Sequence, residues 1–246
     1  MHYDPTELKV KDYPDDRKRA TNMTKSNDDR NVSQLHKAYD SRTVEELSES
    51  YDRWAGEYET HMKNVGYAHP AMVTSMLSRH VSADAQPILD AGAGTGIMGE
   101  LLAAMGHGEI IGFDASNDMM AVARSKNIYA DLEQMFLGRP LNYPDNHFAA
   151  VTASGVFTEG HAPLSGFDEL LRVTRPGGLL VFSIGPVYLG GAFEEKYKAL
   201  EAAGLWRFVD ASKPYNSTPL ADALTCQVFV FQKNSDNRDR GERLAE

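Results

Sequence analysis

Residues Ile88–Leu102 read ILDAGAGTGIMGELL, which is a short apolar run, a glycine-rich turn and a helical pattern in direct succession. Because glycine has no side chain, Gly92, Gly94 and Gly96 permit a tight turn and let a ligand lie against the backbone. The following helix begins with free backbone N–H groups, which suit a carboxylate or other polar atoms of that ligand. This stretch predicts a buried strand that leads into a ligand-binding turn.

The rest of the chain alternates between strand-like and helix-like patterns. Apolar runs typical of buried strands occur at 109–114, 147–155 and 179–185. Amphipathic stretches typical of helices occur at 116–127, 167–175 and 193–204. Such alternation predicts an α/β fold, in which a mostly parallel sheet is covered by helices on both faces. Two late apolar runs, 205–211 and 224–233, have no obvious helix between them, which indicates an antiparallel edge.

Composition divides the chain into a central domain and two polar ends. Charged and small polar residues dominate 1–40 and 234–246, and their apolar residues show no helical or strand period. Such segments bury too little apolar surface to offset their ordering entropy. We expect a mobile N-terminal arm at 1–40, one domain at 41–233 and a mobile C-terminal tail at 234–246. Residues 41–80 of the domain are expected to form a helical lid.

Charge and cysteine content restrict the classes of partner. The formal net charge of −10 opposes nucleic-acid binding, because proteins that bind polyanions usually present a basic surface. No apolar run approaches the roughly 20 residues that span a bilayer, and no signal-peptide pattern is present. The single Cys226 excludes an internal disulfide and a cysteine-cluster metal site. We expect a cytoplasmic protein with a small-molecule substrate and no metal, nucleic-acid or membrane partner; the sequence does not indicate an oligomeric state.

A carboxylate follows the second predicted strand. Asp114 lies roughly 20 residues beyond Gly92, where an acid accepts hydrogen bonds from the ribose hydroxyls of an adenosine cofactor. NAD-binding domains share this arrangement, and a helix-capping aspartate is the alternative. The dinucleotide pattern G-x-G-x-x-G fails when read from Gly92, because Ile97 occupies its sixth position. Read from Gly94 the pattern fits, but it then lies later in the turn than expected.

The spacing Asp90-x-Gly92-x-Gly94-x-Gly96, followed by Asp114-Ala-Ser-x-x-Met119, resembles motifs of class I S-adenosylmethionine-dependent methyltransferases. In that class the acid two places before the first glycine helps to seat the methionine part of the cofactor, and the apolar residue packs on the adenine. The resemblance implies cofactor contacts from Asp90, Gly92, Ala93, Gly94, Gly96, Asp114, Ala115, Ser116 and Met119.

A wider resemblance covers about Tyr51 to Lys233. The segments YDRWAGEYETHMKNVGYAHPA, GAGTGIMGELL and SGVFTEGHAP, with the later helix–Pro-Gly-Gly–strand segment, resemble the Williams–Beuren syndrome critical region methyltransferase-like family. This implies a Rossmann-like seven-stranded sheet, with S-adenosyl-L-methionine as cofactor and S-adenosyl-L-homocysteine as product. Many relatives have an aspartate where this chain has Leu137, so Leu137 and Gly138 are expected beside the adenine. A backbone carbonyl or Gln134 is then expected to meet the adenine amine.

The lid is predicted from a stripe on one helix. Gaps of three and four residues separate Val44, Leu47, Tyr51, Trp54, Tyr58 and Met62. Tyrosines of a similar element reach the cofactor in relatives, which implies that Tyr51, Trp54 and Tyr58 contact it. Simple packing of the stripe on the core is the alternative. His61 and His69 are interpreted as surface or packing histidines.

The segment after the fourth strand is expected to face the reacting methyl group, because ligands lie beyond the carboxyl ends of parallel strands. His161 is the first candidate base, with a loop-fixing role as the alternative. Glu159 is a second candidate base or a site for a cationic group, unless it is simply a solvated charge. The remaining candidates are Ser154 and Gly155 for the cofactor, and Phe157 and Tyr188 for the substrate, with loop packing as the alternative for Tyr188.

The predicted function is methyl transfer from S-adenosylmethionine to an oxygen, nitrogen or sulfur atom of a small molecule. Three alternatives stay open: a protein or RNA methyltransferase, a non-catalytic protein that binds the cofactor and acts through partners, and a nicotinamide enzyme.

Overall fold

The computed structural model describes residues 43–158, 161–221 and 224–235. The predicted N-terminal arm and residues 236–246 of the predicted tail lie outside the described residues. Within those ranges, no helix has the length and apolar character needed to cross a membrane.

Seven helices and eight strands are present in the described ranges. The helices are α1 Val44–Trp54, α2 Tyr58–Val65, α3 His69–His80, α4 Ile97–Ala104, α5 Asn117–Ser125, α6 Gly166–Val173 and α7 Ala192–Ala202. The strands are β1 Ile88–Ala91, β2 Ile110–Asp114, β3 Asp131–Gln134, β4 Phe148–Phe157, β5 Thr174–Ile184, β6 Trp206–Ala211, β7 Tyr215–Asn216 and β8 Thr225–Lys233.

The strand order of the sheet is β3-β2-β1-β4-β5-β8-β6, and the two-residue β7 pairs with β8 off this path. Strands β1 to β5 run parallel, whereas β8 is antiparallel to both β5 and β6. The α/β fold and the antiparallel edge are therefore confirmed. The chain steps from β1 to β2 on one side and later returns to β4 on the other. This reversal of direction opens a crevice at the carboxyl ends of β1 and β4.

The two faces of the sheet are packed differently. One face carries an aromatic cluster, in which Trp206 stacks on Phe231 and Phe157 stacks on Phe167, each with ring centroids 4.1 Å apart. The other face is aliphatic, and α3 buries Leu77 completely there. Phe157 has no exposed surface, so it does not reach a substrate as the sequence suggested. The Phe157 side chain instead packs in the core at the end of β4, against Phe167.

Two helix boundaries differ from the sequence pattern. The stripe from Val44 to Met62 is divided between α1 and α2, because the chain turns between Trp54 and Tyr58. The second difference is at the end of α6, which stops at Val173, before the Pro-Gly-Gly triplet. Thr174 adopts extended backbone angles, and its hydroxyl donates to the Leu170 carbonyl at 2.6 Å, which caps the helix.

Candidate active site

One cavity lies where the reversal of strand order predicts a ligand, at the carboxyl ends of β1, β2 and β4. It encloses about 1110 Å³ of space between atoms, including its open mouth, and α1 and α2 form its roof. Twelve of the predicted site residues line it. These are Tyr51, Tyr58, Gly92, Gly94, Asp114, Ala115, Ser116, Met119, Leu137, Ser154, Gly155 and His161.

The glycine turn shapes the floor of the cavity. Gly92 and Gly94 have φ angles of 73° and 54°, a region that favours glycine. A Cβ on Gly92 would lie 2.5 Å from Val156, whereas a Cβ on Gly94 would point into open space. Gly92 therefore keeps β1 close to β4, and Gly94 leaves room for a ligand against the backbone.

Asp114 links the glycine turn to the start of α5. One carboxylate oxygen accepts the Gly94 N–H at 2.8 Å, and the other accepts the Ser116 N–H at 2.9 Å. Burial raises the pKa of Asp114 above its ordinary value, and these two N–H groups oppose that shift. Each carboxylate oxygen retains a lone pair. The Gly94 and Ser116 N–H groups thus fix the orientation of the carboxylate, and its remaining lone pairs could accept the two hydroxyls of a ribose.

Asp90 lies behind the turn instead of in the cavity. It is fully buried, and its carboxylate accepts the Tyr129 hydroxyl at 2.6 Å and the Thr152 hydroxyl at 3.3 Å. Burial raises the pKa of Asp90 to about 6, although both hydrogen bonds favour the charged form. The structure therefore does not bring Asp90 to the cofactor, because Tyr129 draws its side chain to the rear of the turn.

Replacement of Asp90 by asparagine tests this buried position. The pKa of Asp90 is about 6 in the folded protein, against about 3.9 in an unfolded chain. The folded state therefore binds the proton more tightly, and the resulting stability is complete below pH ~4 and lost as the pH rises through the folded pKa. We expect Asp90→Asn to exceed the wild type in free energy of unfolding by about 1–3 kcal/mol at pH 8 and to match it near pH 4.

Urea unfolding at both pH values measures this difference. Asp118→Asn, which alters an exposed carboxylate, is the control and should show no such pH dependence. An Asp90→Asn difference that is the same at pH 4 and pH 8 would contradict the assignment.

Five other predicted residues do not line the cavity. Ala93 and Gly96 are buried in the turn, and a Cβ on Gly96 would meet Ala123 and Tyr129. Gly138 is exposed and lies against Pro163. Tyr188 packs against the aromatic cluster and donates a long hydrogen bond to a loop carbonyl, in agreement with the packing alternative. Trp54, the fifth, belongs to the lid.

The adenine side of the cavity is apolar. Met119, Met135, Phe136 and Leu137 line it. The Gln134 amide donates to the Ala115 carbonyl at 2.8 Å, and its side chain does not line the cavity. Gln134, one of the two predicted partners for the adenine amine, is therefore already hydrogen-bonded to Ala115 outside the cavity. A backbone carbonyl is the partner that the geometry favours.

The lid is fastened to the start of α5. Asp52 of α1 accepts the Ser116 hydroxyl at 2.5 Å and the Asp118 N–H at 3.2 Å. Ser48 donates to the Ala115 carbonyl at 2.8 Å, on the same side of the cavity. These contacts hold Tyr51 and Tyr58 over the cavity. Opening the roof would break hydrogen bonds at the residues that surround Asp114.

Trp54 stabilises the lid from outside the cavity. It is 2% exposed, belongs to the same apolar cluster as Met62 and Met119, and donates its indole N–H to His61 at 2.5 Å. The predicted cofactor contact is therefore not made, because the helix break turns Trp54 toward α2 and α5. His61 is a packing histidine in this arrangement.

The cavity lining also includes a chain of three hydrogen-bonded polar side chains. His161 Nε2 and the Tyr51 hydroxyl are 2.6 Å apart, and His161 Nδ1 and the Thr158 hydroxyl are 2.8 Å apart. Thr158 fixes the orientation of the ring, and Tyr51 connects it to the lid. Glu159 lies outside the described residues, so its predicted roles stay untested. Both ring nitrogens of His161 are therefore engaged, so a proton from a nucleophile would reach the ring through the Tyr51 hydroxyl, which also lines the cavity.

Several lining residues were not predicted. Tyr67, His69, Ser217 and Thr218 lie close together along one wall of the cavity. His69 is 4% exposed, and its Nδ1 lies 2.6 Å from the Tyr215 hydroxyl. Burial lowers the pKa of His69 to about 3, so the ring is neutral at physiological pH. The predicted packing role describes its burial but misses its position in the cavity wall.

The residues also fit the cofactor that the motifs imply. The buried Ser154 Oγ has no hydrogen-bond partner among the described residues, yet Ser154 lines the cavity. Gly94 leaves space beside the backbone, and Asp114 presents a carboxylate beside it. Within the described ranges, no cluster of His, Cys, Asp or Glu is arranged to hold a metal ion.

Comparison with known proteins assigns the central part of the chain. Residues 88–178 match a methyltransferase domain family. The chain is 31% identical over 161 residues to Methyltransferase-like protein 27 of Homo sapiens, covering 63% of this chain and 65% of that protein. It is 35% identical over 131 residues to a demethylmenaquinone methyltransferase of Clavibacter sepedonicus, covering 51% of this chain and 53% of that protein. The chain thus spans about half to two thirds of these curated relatives.

A solved structure supports the fold independently. The cyclase SpnF matches with a TM-score of 0.61 and 17% sequence identity, covering 80% of this chain and 98% of SpnF. At this identity the likeness concerns the fold alone. The matched domain family and the curated relatives support a class I S-adenosylmethionine-dependent methyltransferase domain in this chain, and the strand order and the likeness to SpnF show the fold of that domain.

Proposed function

We propose that this protein transfers a methyl group from S-adenosylmethionine to a nucleophilic atom of a small molecule. The observation that carries the proposal is the continuity of the cavity. The same cavity is lined by Asp114 and Gly94 and also by Tyr51 and His161. A cofactor site and a candidate base therefore share one compartment, as a direct displacement requires.

The roof limits the size of the acceptor. Tyr51 and Tyr58 cover the cavity, and Asp52 holds α1 against the start of α5. A small acceptor fits beneath this roof, whereas a folded protein or nucleic-acid duplex would have to displace it. The demethylmenaquinone methyltransferases among the relatives also favour a small molecule.

The chain's own groups contribute position and proton transfer. When bound, S-adenosylmethionine supplies an electrophilic sulfonium methyl group. Asp114 and the glycine turn would hold its ribose and methionine parts, and the apolar side chains from Met119 to Leu137 would surround the adenine. His161 would accept, through the Tyr51 hydroxyl, the proton that a hydroxyl or thiol loses on methylation, or the proton that an ammonium group must lose before its nitrogen can attack. Closure by α1 and α2 would exclude water from the reacting methyl.

A methyl-transfer assay tests this proposal. The full chain is incubated with S-adenosylmethionine labelled in the methyl group and with separate pools of phenols, naphthoquinols, thiols, amines and carboxylic acids. We expect label in at least one small-molecule product, together with stoichiometric S-adenosylhomocysteine. Labelling of protein or RNA instead would contradict the acceptor class. Tight cofactor binding without turnover on any pool would favour a non-catalytic binding protein.

A further inference from the structure

The cavity wall formed by Tyr67, His69, Ser217 and Thr218 is not used by the cofactor contacts or by the candidate base. It lies next to the part of β4 that is expected to face the reacting methyl. A Cβ on Gly155 would overlap the Tyr67 hydroxyl and would lie 3.4 Å from His69 Cδ2. This wall, which we call the His69 wall, is therefore placed to contact the methyl acceptor.

A chain of hydrogen bonds orders the protons behind the His69 wall. The Gly155 N–H donates to Ser183 Oγ at 2.8 Å, and the Ser183 hydroxyl lies near the Tyr215 phenol. The Tyr215 hydroxyl lies 2.6 Å from His69 Nδ1. If each hydroxyl passes its own proton along this series, Tyr215 donates to Nδ1. A neutral imidazole then carries its proton on Nε2.

The Cδ2–Nε2 edge of the His69 ring lies beside Gly155, which also lines the cavity. His69 lines the cavity, and its Nε2 has no hydrogen-bond partner in the part of the chain that the structure describes. Tyr67 packs edge-to-face on the ring with centroids 5.3 Å apart, and Tyr215 packs at 5.7 Å. The imidazole is thus fixed in orientation as well as in tautomer.

The charges around the cavity restrict what this N–H can bind. Among the described lining residues, Asp114 is the only carboxylate, and none is Lys or Arg. A substrate carboxylate or phosphate would find no cationic partner there, and burying an unpaired charge is costly. A neutral oxygen acceptor, such as a carbonyl or phenol oxygen, fits the neutral donor. The Tyr67 ring beside His69 suits an aromatic ring in the ligand.

We propose that His69 is a substrate-binding residue whose Nε2–H donates to a neutral carbonyl or phenolic oxygen of an aromatic methyl acceptor, with Tyr215 as the positioning residue that fixes its tautomer. This inference rests on the proposed function, since it identifies the His69 wall as the acceptor subsite of the same cavity. It also assigns a substrate class, namely uncharged aromatic molecules that carry a ring oxygen substituent.

Equilibrium dialysis with three probes tests the subsite. Protein loaded with S-adenosylhomocysteine is titrated with 2-methyl-1,4-naphthoquinone, 2-methylnaphthalene and 2-naphthoate. We expect the quinone to bind about tenfold more tightly than the hydrocarbon, since one hydrogen bond of ordinary strength corresponds to that ratio. The naphthoate should gain nothing over the hydrocarbon. Equal affinity for quinone and hydrocarbon, absence of quinone binding, or preference for the naphthoate would overturn the proposal.

Three variants test whether the preference for the quinone depends on the His69 ring. His69→Leu should lose the roughly tenfold preference for the quinone and keep hydrocarbon affinity, whereas His69→Gln, which retains a donor, should keep most of the preference. Tyr215→Phe should weaken quinone binding and change the tautomer that nitrogen-15 NMR reports, from protonated Nε2 to a mixture. A wild-type ring protonated on Nδ1, or His69→Leu with full preference, would overturn the assignment.

The cofactor titration separates this proposal from the proposed function. Binding of S-adenosylhomocysteine to the wild type is measured in the same samples. If it fails, the proposed function fails, but the comparison of quinone with hydrocarbon on the cofactor-free protein still decides the role of His69.

Discussion

Asp114→Ala is expected to weaken binding of S-adenosylmethionine and S-adenosylhomocysteine by about 100-fold or more while the protein stays folded. The carboxylate is held by the N–H groups of Gly94 and Ser116, so both oxygens are aimed before a ligand arrives. Hydrogen bonds to a charged acceptor contribute about 1.5–3 kcal/mol each, and two ribose hydroxyls would share this one group. Isothermal titration measures the loss, and circular dichroism checks the fold.

The matched control for this variant is Asp118→Ala. Asp118 is an exposed carboxylate on the first turn of α5, the helix that follows Asp114, and it lies outside the cavity lining. It should change the cofactor affinity by less than about threefold, because a solvated charge contributes little. Near-wild-type affinity in Asp114→Ala would remove Asp114 from the ribose site. An equal loss in both variants would indicate a general effect of charge at the helix start.

His161→Ala is expected to lower kcat by about 100-fold and to change the cofactor affinity by less than about threefold. The ring lies between the hydroxyls of Tyr51 and Thr158, which would orient it for proton transfer. The Asp114 carboxylate is held by Gly94 and Ser116 and not by His161, so removal of the His161 ring should affect chemistry more than cofactor binding. Steady-state formation of S-adenosylhomocysteine at saturating cofactor and acceptor, with an acceptor found in the labelling assay, measures kcat.

Two further variants show whether the expected loss of kcat is specific to His161. His147→Ala changes an exposed histidine at the start of β4, away from the cavity, and should leave kcat unchanged. Tyr51→Phe keeps the lid aromatic but removes the hydroxyl bound to His161. A kcat near the wild-type value in His161→Ala would confine that residue to holding the loop. The test applies to a hydroxyl, thiol or amine acceptor, because an unprotonated nucleophile such as a thioether needs no base.

The parts of the site that sequence predicts are those encoded by contiguous residues. The turn from Gly92 to Gly96 and the carboxylate of Asp114 depend on strand, turn and helix signals within short segments, and the structure places both Gly94 and Asp114 at the cavity. Parallel strands bring such segments to one edge of the sheet without further information. The cofactor end was therefore predictable from local pattern.

The residues that sequence misses are positioned by distant partners. His69 faces the cavity because Tyr215, 146 positions later, holds its ring. Asp90 turns away because Tyr129, 39 positions later, takes its carboxylate. Trp54 fits a continuous helical stripe by spacing alone, yet the turn after α1 directs it to His61. Periodicity identifies the buried face of a helix but not the neighbour that buries it.

The most direct test of the central claim is isothermal titration of the full chain with S-adenosylmethionine and, separately, with S-adenosylhomocysteine. The cavity described above, with Asp114, the glycine turn and the apolar adenine side, predicts that both bind at one site per chain with dissociation constants of about 1–100 μM, or −8 to −5 kcal/mol. A folded sample that binds neither ligand would contradict the account.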